Sequence, residues 1–256
     1  VTGNSSVGVY TEVATRPVLD GNKDDHGLTN TTGNIVGTET VEVTGTITVS
    51  GSGSSGVYAK DTGSITLKDN RTNADADADN RTLGKINVTG IKSYGAVLEG
   101  VKLDLEENTQ INVSGQEAIG YVLKSGKGSN SGEIKVEGHT SNMAGTPFKG
   151  SLGFYGEKGS FTNTKEGIIS SFGNIAHAVA IIGDSTNGFT FKNQGRINVI
   201  GAGNIGVYAE GKYDFTHEND SSSENALISA SLGGVGIYAK NNTGTLNINA
   251  PIYVGN

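Results

Sequence analysis

The chain has 256 residues, of which 40 are glycine, three are proline and none is tryptophan, and 34% are hydrophobic, too few bulky side chains to fill a conventional two-layer globule. Its 19 basic and 26 acidic residues give a net charge of −7, which argues against the phosphate-neutralising surface of a nucleic-acid binder. With no cysteine in the chain, disulfides, thiolate metal sites and cysteine nucleophiles are excluded.

Along the chain one motif recurs: a small residue, then a β-branched or aromatic one, often followed by Tyr and Ala. It reads V-G-V-Y at Val7 to Tyr10, S-G-V-Y-A-K at Ser55 to Lys60, Y-G-A-V-L at Tyr94 to Leu98, and I-G-Y-V-L at Ile119 to Leu123. It continues as L-G-F-Y-G at Leu152 to Gly156, H-A-V-A-I at His177 to Ile181, I-G-V-Y-A-E at Ile205 to Glu210, and V-G-I-Y-A-K at Val235 to Lys240. Anchored on Gly8, Gly56, Gly95, Gly120, Gly153, Ala178, Gly206 and Gly236, the eight copies are spaced by 48, 39, 25, 33, 25, 28 and 30 residues. The shorter spacings are the bare repeat and the longer ones carry insertions.

A second element precedes several copies: I-T-V-S-G at Ile47, I-N-V-T-G at Ile86, I-N-V-S-G at Ile111, I-K-V-E-G at Ile134 and I-N-V-I-G at Ile197. Alternation of apolar and polar residues is the period of a strand. A third follows the motif, as in S-I-T-L at Ser64, K-L-D-L at Lys102, S-F-T-N at Ser160, F-T-F-K at Phe189, Y-D-F-T at Tyr213 and T-L-N-I at Thr245. Each unit thus holds about three short strands and cannot close a core alone, so it must stack on its neighbours. The expected fold is all-β: one right-handed parallel β-helix of about eight coils across residues 1–256. Between Gln116 and Ile181 the repeat drifts, leaving the coil register open there.

Two features of the repeat call for physical reasons. The recurring glycine implies either a corner with positive φ or a close approach of stacked coils. Tyr10, Tyr58, Tyr155, Tyr208 and Tyr238 share nearly one phase, which implies stacking along one face, with a carbohydrate-binding aromatic strip as the functional alternative.

Departures from the repeat lie near residues 14–34, 68–84, 139–150 and 216–225, rich in Asn, Asp, Ser, Thr and Gly. Such insertions are expected to project from one face of a solenoid and to carry partner contacts. Asp24, His26, Arg71, Asp75, Phe148 and His217 are the candidate partner-binding residues within them. The plain alternative is a set of tolerated, solvated loops.

Three chemical readings are weaker, with a carbohydrate-active enzyme kept as the third functional alternative behind adhesin and spacer. Asp75, Asp77 and Asp79 resemble the first half of a calcium loop, but Asn80 replaces the turn glycine and Ile86 the bidentate glutamate. Gly183, Asp184 and Ser185 look like a hydrolase nucleophile turn, yet Thr-Asn-Gly follows, and the four histidines fall in insertions (His26, His139, His217) or a strand (His177). Paired carboxylates of a carbohydrate-active enzyme do not recur at equivalent phases. Neither catalytic residues, nor a metal, nor a cofactor is expected.

Units such as N-S-G-E-I-K-V-E-G at Asn130 to Gly138 and N-Q-G-R-I-N-V-I-G at Asn193 to Gly201, each followed by a copy of the G-V-Y motif or its variants, resemble the passenger domains of Gram-negative autotransporters, especially the large outer-membrane adhesins of fusobacteria. The resemblance implies a piece of a longer passenger at the bacterial cell surface, anchored by a carboxy-terminal outer-membrane barrel outside this stretch. It implies adhesion to a host-cell receptor or glycan, or to a partner bacterium, with a pure spacer as the structural alternative. No run here approaches the roughly 18 apolar residues of a membrane helix, and V-T-G-N-S-S lacks a signal-peptide pattern. V-T-G also matches the end of the second element, so both ends are expected to be open coil edges prone to self-association.

Overall fold

The structure is a computed structural model that describes residues 1–12, 40–61, 63–69, 83–138, 150–183, 186–240 and 243–255. These form a right-handed parallel β-helix of three eight-stranded sheets. The first sheet stacks β1 (Val7–Glu12), β4 (Ser55–Lys60), β7 (Tyr94–Glu99), β10 (Ile119–Leu123), β13 (Ser151–Gly156), β16 (Ala176–Gly183), β19 (Ile205–Gly211) and β22 (Val235–Lys240). The second stacks β2 (Thr40–Val43), β5 (Ser64–Leu67), β8 (Val101–Leu105), β11 (Gly126–Asn130), β14 (Gly159–Asn163), β17 (Phe189–Asn193), β20 (Tyr213–His217) and β23 (Thr245–Ile248). The third stacks β3 (Thr46–Val49), β6 (Lys85–Val88), β9 (Gln110–Val113), β12 (Glu133–Gly138), β15 (Ile168–Gly173), β18 (Arg196–Ile200), β21 (Leu227–Ser231) and β24 (Ile252–Val254).

All eight anchors of the sequence motif occupy equivalent places. The ladder pairs the residues flanking each anchor, for example Val7 with Ser55 and Val9 with Val57, or Leu152 with His177 and Phe154 with Val179. That register runs unbroken through 116–181, where the sequence pattern drifts. It holds because the inward columns stay apolar. Eight isoleucines, Ile47, Ile86, Ile111, Ile134, Ile169, Ile197, Ile228 and Ile252, pair in succession along the third sheet. A one-residue slip in any strand would turn its isoleucine outward.

Opposite this column the interior trades size between sheets. Tyr121 of β10 points inward where its neighbours in the first sheet carry Ala96 and Phe154, and Gly128 of β11 leaves room for the Tyr121 hydroxyl. Phe154, Phe161, Phe191 and Phe215 continue the core, with ring centroids 4.2 Å apart for Phe154 and Phe161 and 5.6 Å and 5.8 Å for the successive stacks of the second sheet. The large aromatic surfaces bury what a Gly-rich chain otherwise lacks.

The recurring glycine resolves to close approach. A Cβ on Gly56 would meet the Gly95 carbonyl oxygen at 2.7 Å and Val49 Cγ2 at 3.0 Å, and Gly120 and Gly153 are equally confined. None of the anchors has positive φ; that conformation lies three residues earlier, at Ser5, Gly53, Lys92, Glu117, Gly150, Ile175, Gly203 and Gly233. Ile175, at φ 57°, is the costly member, since a β-branched side chain in the left-handed region is strained. Ile175→Gly, the residue that four other coils use, is expected to stabilise the chain by about 1 kcal/mol. Urea midpoints measured with hydrogen exchange at the 173–176 turn would check this.

A polar ladder lines the end of the second sheet's inner face. Asn130 Nδ2 donates to Asn163 Oδ1 at 2.8 Å, Asn163 Nδ2 to Asn193 Oδ1 at 2.8 Å, and Asn193 Nδ2 to His217 Nδ1 at 3.0 Å. With Nδ1 accepting, His217 Nε2 donates to the Pro251 carbonyl at 3.0 Å. Each asparagine also closes its own turn, as Asn163 does on Gly167 O and Asn193 on Gly195 O. Earlier coils place Val43, Leu67 and Leu105 in this column.

Candidate partner-binding surface

The insertions do not share a face. Residues 13–39 connect the first sheet to the second, 70–82 the second to the third, and 139–149 the third to the first. The expectation of one insertion-bearing face is therefore corrected: the long segments leave the rod at all three corners, because the spacing between repeats grows at a different turn in different coils. Asp24, His26, Arg71, Asp75 and Phe148 lie outside the described residues, as do Asp184 and Ser185.

His217 requires a second correction. It is the last residue of β20, fully buried, and closes the asparagine ladder, so it offers a partner nothing. The coil-seven insertion begins one residue later. Position 217 follows Phe215 in strand alternation and so points inward, which the Asn and Ser that follow in sequence had obscured.

Two described features brace the insertions at the second-to-third corner. An antiparallel bridge between Asp69 and Leu83 closes the base of the 70–82 segment. Asn108 Nδ2 donates to Asp69 Oδ2 at 3.0 Å, and Glu106 Oε2 accepts from the Asp69 amide at 3.2 Å, tying that base to the next coil. In coil seven the 218–226 loop is closed by an Asp220–Ser223 bridge. Lys192 pairs with Glu218 at 2.8 Å, and Lys165 Nζ donates to Ser222 Oγ at 2.9 Å. The loop therefore leans back over coils five and six. Hydrogen bonds from the Ser222 hydroxyl and amide, helped by Lys165 and Lys192, hold the Asp220 carboxyl below its usual range, so an anionic loop is fixed on a rigid wall.

The outer face of the first sheet carries the tyrosines, in one column: Tyr10, Tyr58, Val97, Val122, Tyr155, Ala180, Tyr208, Tyr238. Tyr10 stacks on Tyr58 at 5.4 Å and 4°, and Tyr208 on Tyr238 at 5.5 Å and 15°. Stacking thus occurs in two pairs, with Tyr155 isolated between Val122 and Ala180. A sugar needs an open ring face, and these rings turn their faces toward each other along the rod axis. The geometry is that of coil-to-coil packing, not of a carbohydrate platform.

Two residues beyond that column runs a second: Lys60, Glu99, Lys124, Glu157, Ile182, Glu210 and Lys240. The sign alternates from Lys60 to Glu157, is interrupted by Ile182 and resumes from Glu210 to Lys240, so each charge has an opposite charge one strand spacing away on one side at least. Lys240 meets Glu210 at 3.0 Å. The signal was present in sequence as the residue after Tyr-Ala, Lys in some copies and Glu in others, but its alternation is visible only once the coils are aligned.

Burial first, and then the hydrogen bond it donates to Glu210, push the Tyr208 phenol up to about 12. Burial and Glu157 raise Tyr155 likewise. Because the folded value lies above the ordinary tyrosine value near 10, the Tyr208 contribution to stability is fully present below pH ~10. It is lost as pH rises through about 12. Ultraviolet titration is expected to show one phenol ionising in that window, and Glu210→Gln to move it back toward 10 without reaching it.

Among the described residues no three His, Asp or Glu side chains gather as a metal set. No protein family, curated protein or solved structure matches the chain.

Proposed function

We propose that this chain is a segment of a surface-displayed adhesin, in which a β-helical rod holds insertions out for attachment to host cells or partner bacteria. The observation that carries the reading is the division of labour in the rod. Its faces are occupied by contacts between its own coils, the tyrosine pairs, the Lys/Glu column and the isoleucine and asparagine ladders. Its insertions leave the register without disturbing it and, at 218–226, rest on charged braces. The resemblance of the repeats to autotransporter passengers supports the same reading, and with it a bacterial cell-surface location and an outer-membrane anchor beyond this stretch.

The rival reading is a spacer that lifts a distal tip. The same self-satisfied faces favour it, since a rod with its polar groups partnered coil to coil has little to offer laterally. Binding of the purified chain to host cells and to partner bacteria separates the two, using versions in which 13–39, 70–82, 139–149 or 218–226 is shortened to a tight turn. Saturable binding lost with one shortened segment supports the adhesin. A folded chain that binds neither surface is a spacer.

A further inference from the structure

We infer that the tyrosine pairs Tyr10–Tyr58 and Tyr208–Tyr238 are sites of oxidative cross-linking, each able to form one dityrosine bond that staples one coil to the coil beside it. The inference is independent of adhesion. It starts from the column on the outer face of the first sheet, where one pair joins β1 to β4 and the other β19 to β22, in ladder register and with rings almost parallel. Tyr10 is 58% exposed and Tyr238 46% exposed, so an oxidant in solution reaches one ring of each pair directly.

The chemistry needs a one-electron oxidant of the peroxidase class with hydrogen peroxide as the terminal acceptor. Each of two phenols loses one electron and one proton, giving two tyrosyl radicals. Their ortho carbons form a C–C bond, and the two hydrogens displaced from those carbons move to the phenolate oxygens as the rings regain aromaticity. The two electrons and two protons reduce one peroxide to two waters.

The second pair is better prepared. Tyr208 donates its phenol proton to Glu210, whose carboxyl is held in the ionised form by that bond and by Lys240. A base in contact with the hydroxyl takes the proton as the electron leaves. Glu210 is thus a positioning residue for oxidation of Tyr208. A chain without cysteine has no disulfide to tie one coil to the next, and a carbon–carbon link between neighbouring coils would serve in its place. The links would join residues 48 and 30 apart in sequence.

Tyr155 provides the internal control, being in the same column with no tyrosine on either side. The test treats the whole folded chain, at low concentration, with a peroxidase and limiting hydrogen peroxide. Dityrosine fluorescence, the molecular weight of the product and the cross-linked peptides are then read. The expected result is monomeric product with Tyr10–Tyr58 and Tyr208–Tyr238 peptides, each short of two hydrogens, and a raised urea midpoint. Tyr10→Phe removes the first link only, Tyr238→Phe the second only, and Tyr155→Phe neither. Glu210→Gln slows the second link several-fold and leaves the first unchanged. Chain unfolded in urea before oxidation loses the selectivity. Links that form mainly between molecules, that involve Tyr155 as readily as the pairs, or that fail to form in folded chain would overturn the inference.

Discussion

Asn163→Leu is expected to destabilise the chain by about 3 kcal/mol, although leucine fits the position. The fit is shown by the chain itself, which places Leu67 and Leu105 in the same column. What the substitution removes is the middle of the buried ladder. Asn130 Nδ2 loses the acceptor it meets at 2.8 Å, and Asn193 Oδ1 loses the donor it meets at 2.8 Å. Both atoms are enclosed by the coils, with Asn130 and Asn193 fully buried, so neither recovers a partner from water; Asn130 Nδ2 keeps only its 3.4 Å contact with the Ile168 carbonyl, and each buried group left short of a partner costs about 1 to 3 kcal/mol. Chemical denaturation of the wild type and the variant checks the size. Hydrogen exchange resolved along the chain checks the place, since the loss should fall on coils four to six and spare coils one and two. His217→Asn, which can still face Asn193, is expected to cost less than His217→Leu. A loss well under 1 kcal/mol for Asn163→Leu would show that the ladder is tolerated and not stabilising.

Gly120→Ala carries the second large effect, a loss of about 2 kcal/mol. The new Cβ would stand 2.8 Å from the Gly153 carbonyl oxygen and 3.0 Å from both Ile111 and Val113 Cγ2. Of these, the carbonyl belongs to the next coil's ladder and cannot move far. The step from coil five to coil six shows how such a methyl is accommodated, because alanine, Ala178, stands in the glycine's place and, in the coil before it, serine, Ser171, stands where most coils carry valine. The two exchanges compensate, the methyl gained at 178 being matched by the branch lost at 171. The Ser171 hydroxyl is left buried without a hydrogen-bond partner, a cost that comes with this solution. Adding Val113→Ser to Gly120→Ala is therefore expected to return about 1 kcal/mol in a double-mutant cycle. Strict additivity of the two losses would show that the carbonyl contact alone decides the matter. Across the barrier between coils five and six, Ala178→Gly with Ser171→Val should likewise exceed either single change in stability.

How much of this was legible in sequence depends on the kind of signal. The anchors Gly8 to Gly236 fell on equivalent positions in every coil because close approach of stacked backbones admits only a very small side chain, and that constraint repeats whatever the rest of the coil does. The isoleucine column was read in five strands and missed at Ile169, Ile228 and Ile252, where Ser171, Ala230 and the irregular flanks break the I-x-V-x-G pattern. Strand β11 was invisible, since G-K-G-S-N has no inward apolar residue. It is a strand because Tyr121 from another sheet fills the space above Gly128, a tertiary match that no local pattern encodes. The site was less legible still. Between threonine and an Asn-Ser-rich run His217 looks solvated in sequence, whereas the ladder of asparagines in the preceding coils gives it its role. The corners from which insertions leave become apparent only when each strand is assigned to its sheet.

That distribution of corners bears on how such a rod meets anything beside it. A shaft with all its projections along one edge has a front and a back, and contact depends on the angle through which it happens to have turned about its own axis. Here the long connections begin and end at three different corners of the coil and at different heights along the stack. Such a shaft has no single edge that a neighbouring surface would have to find.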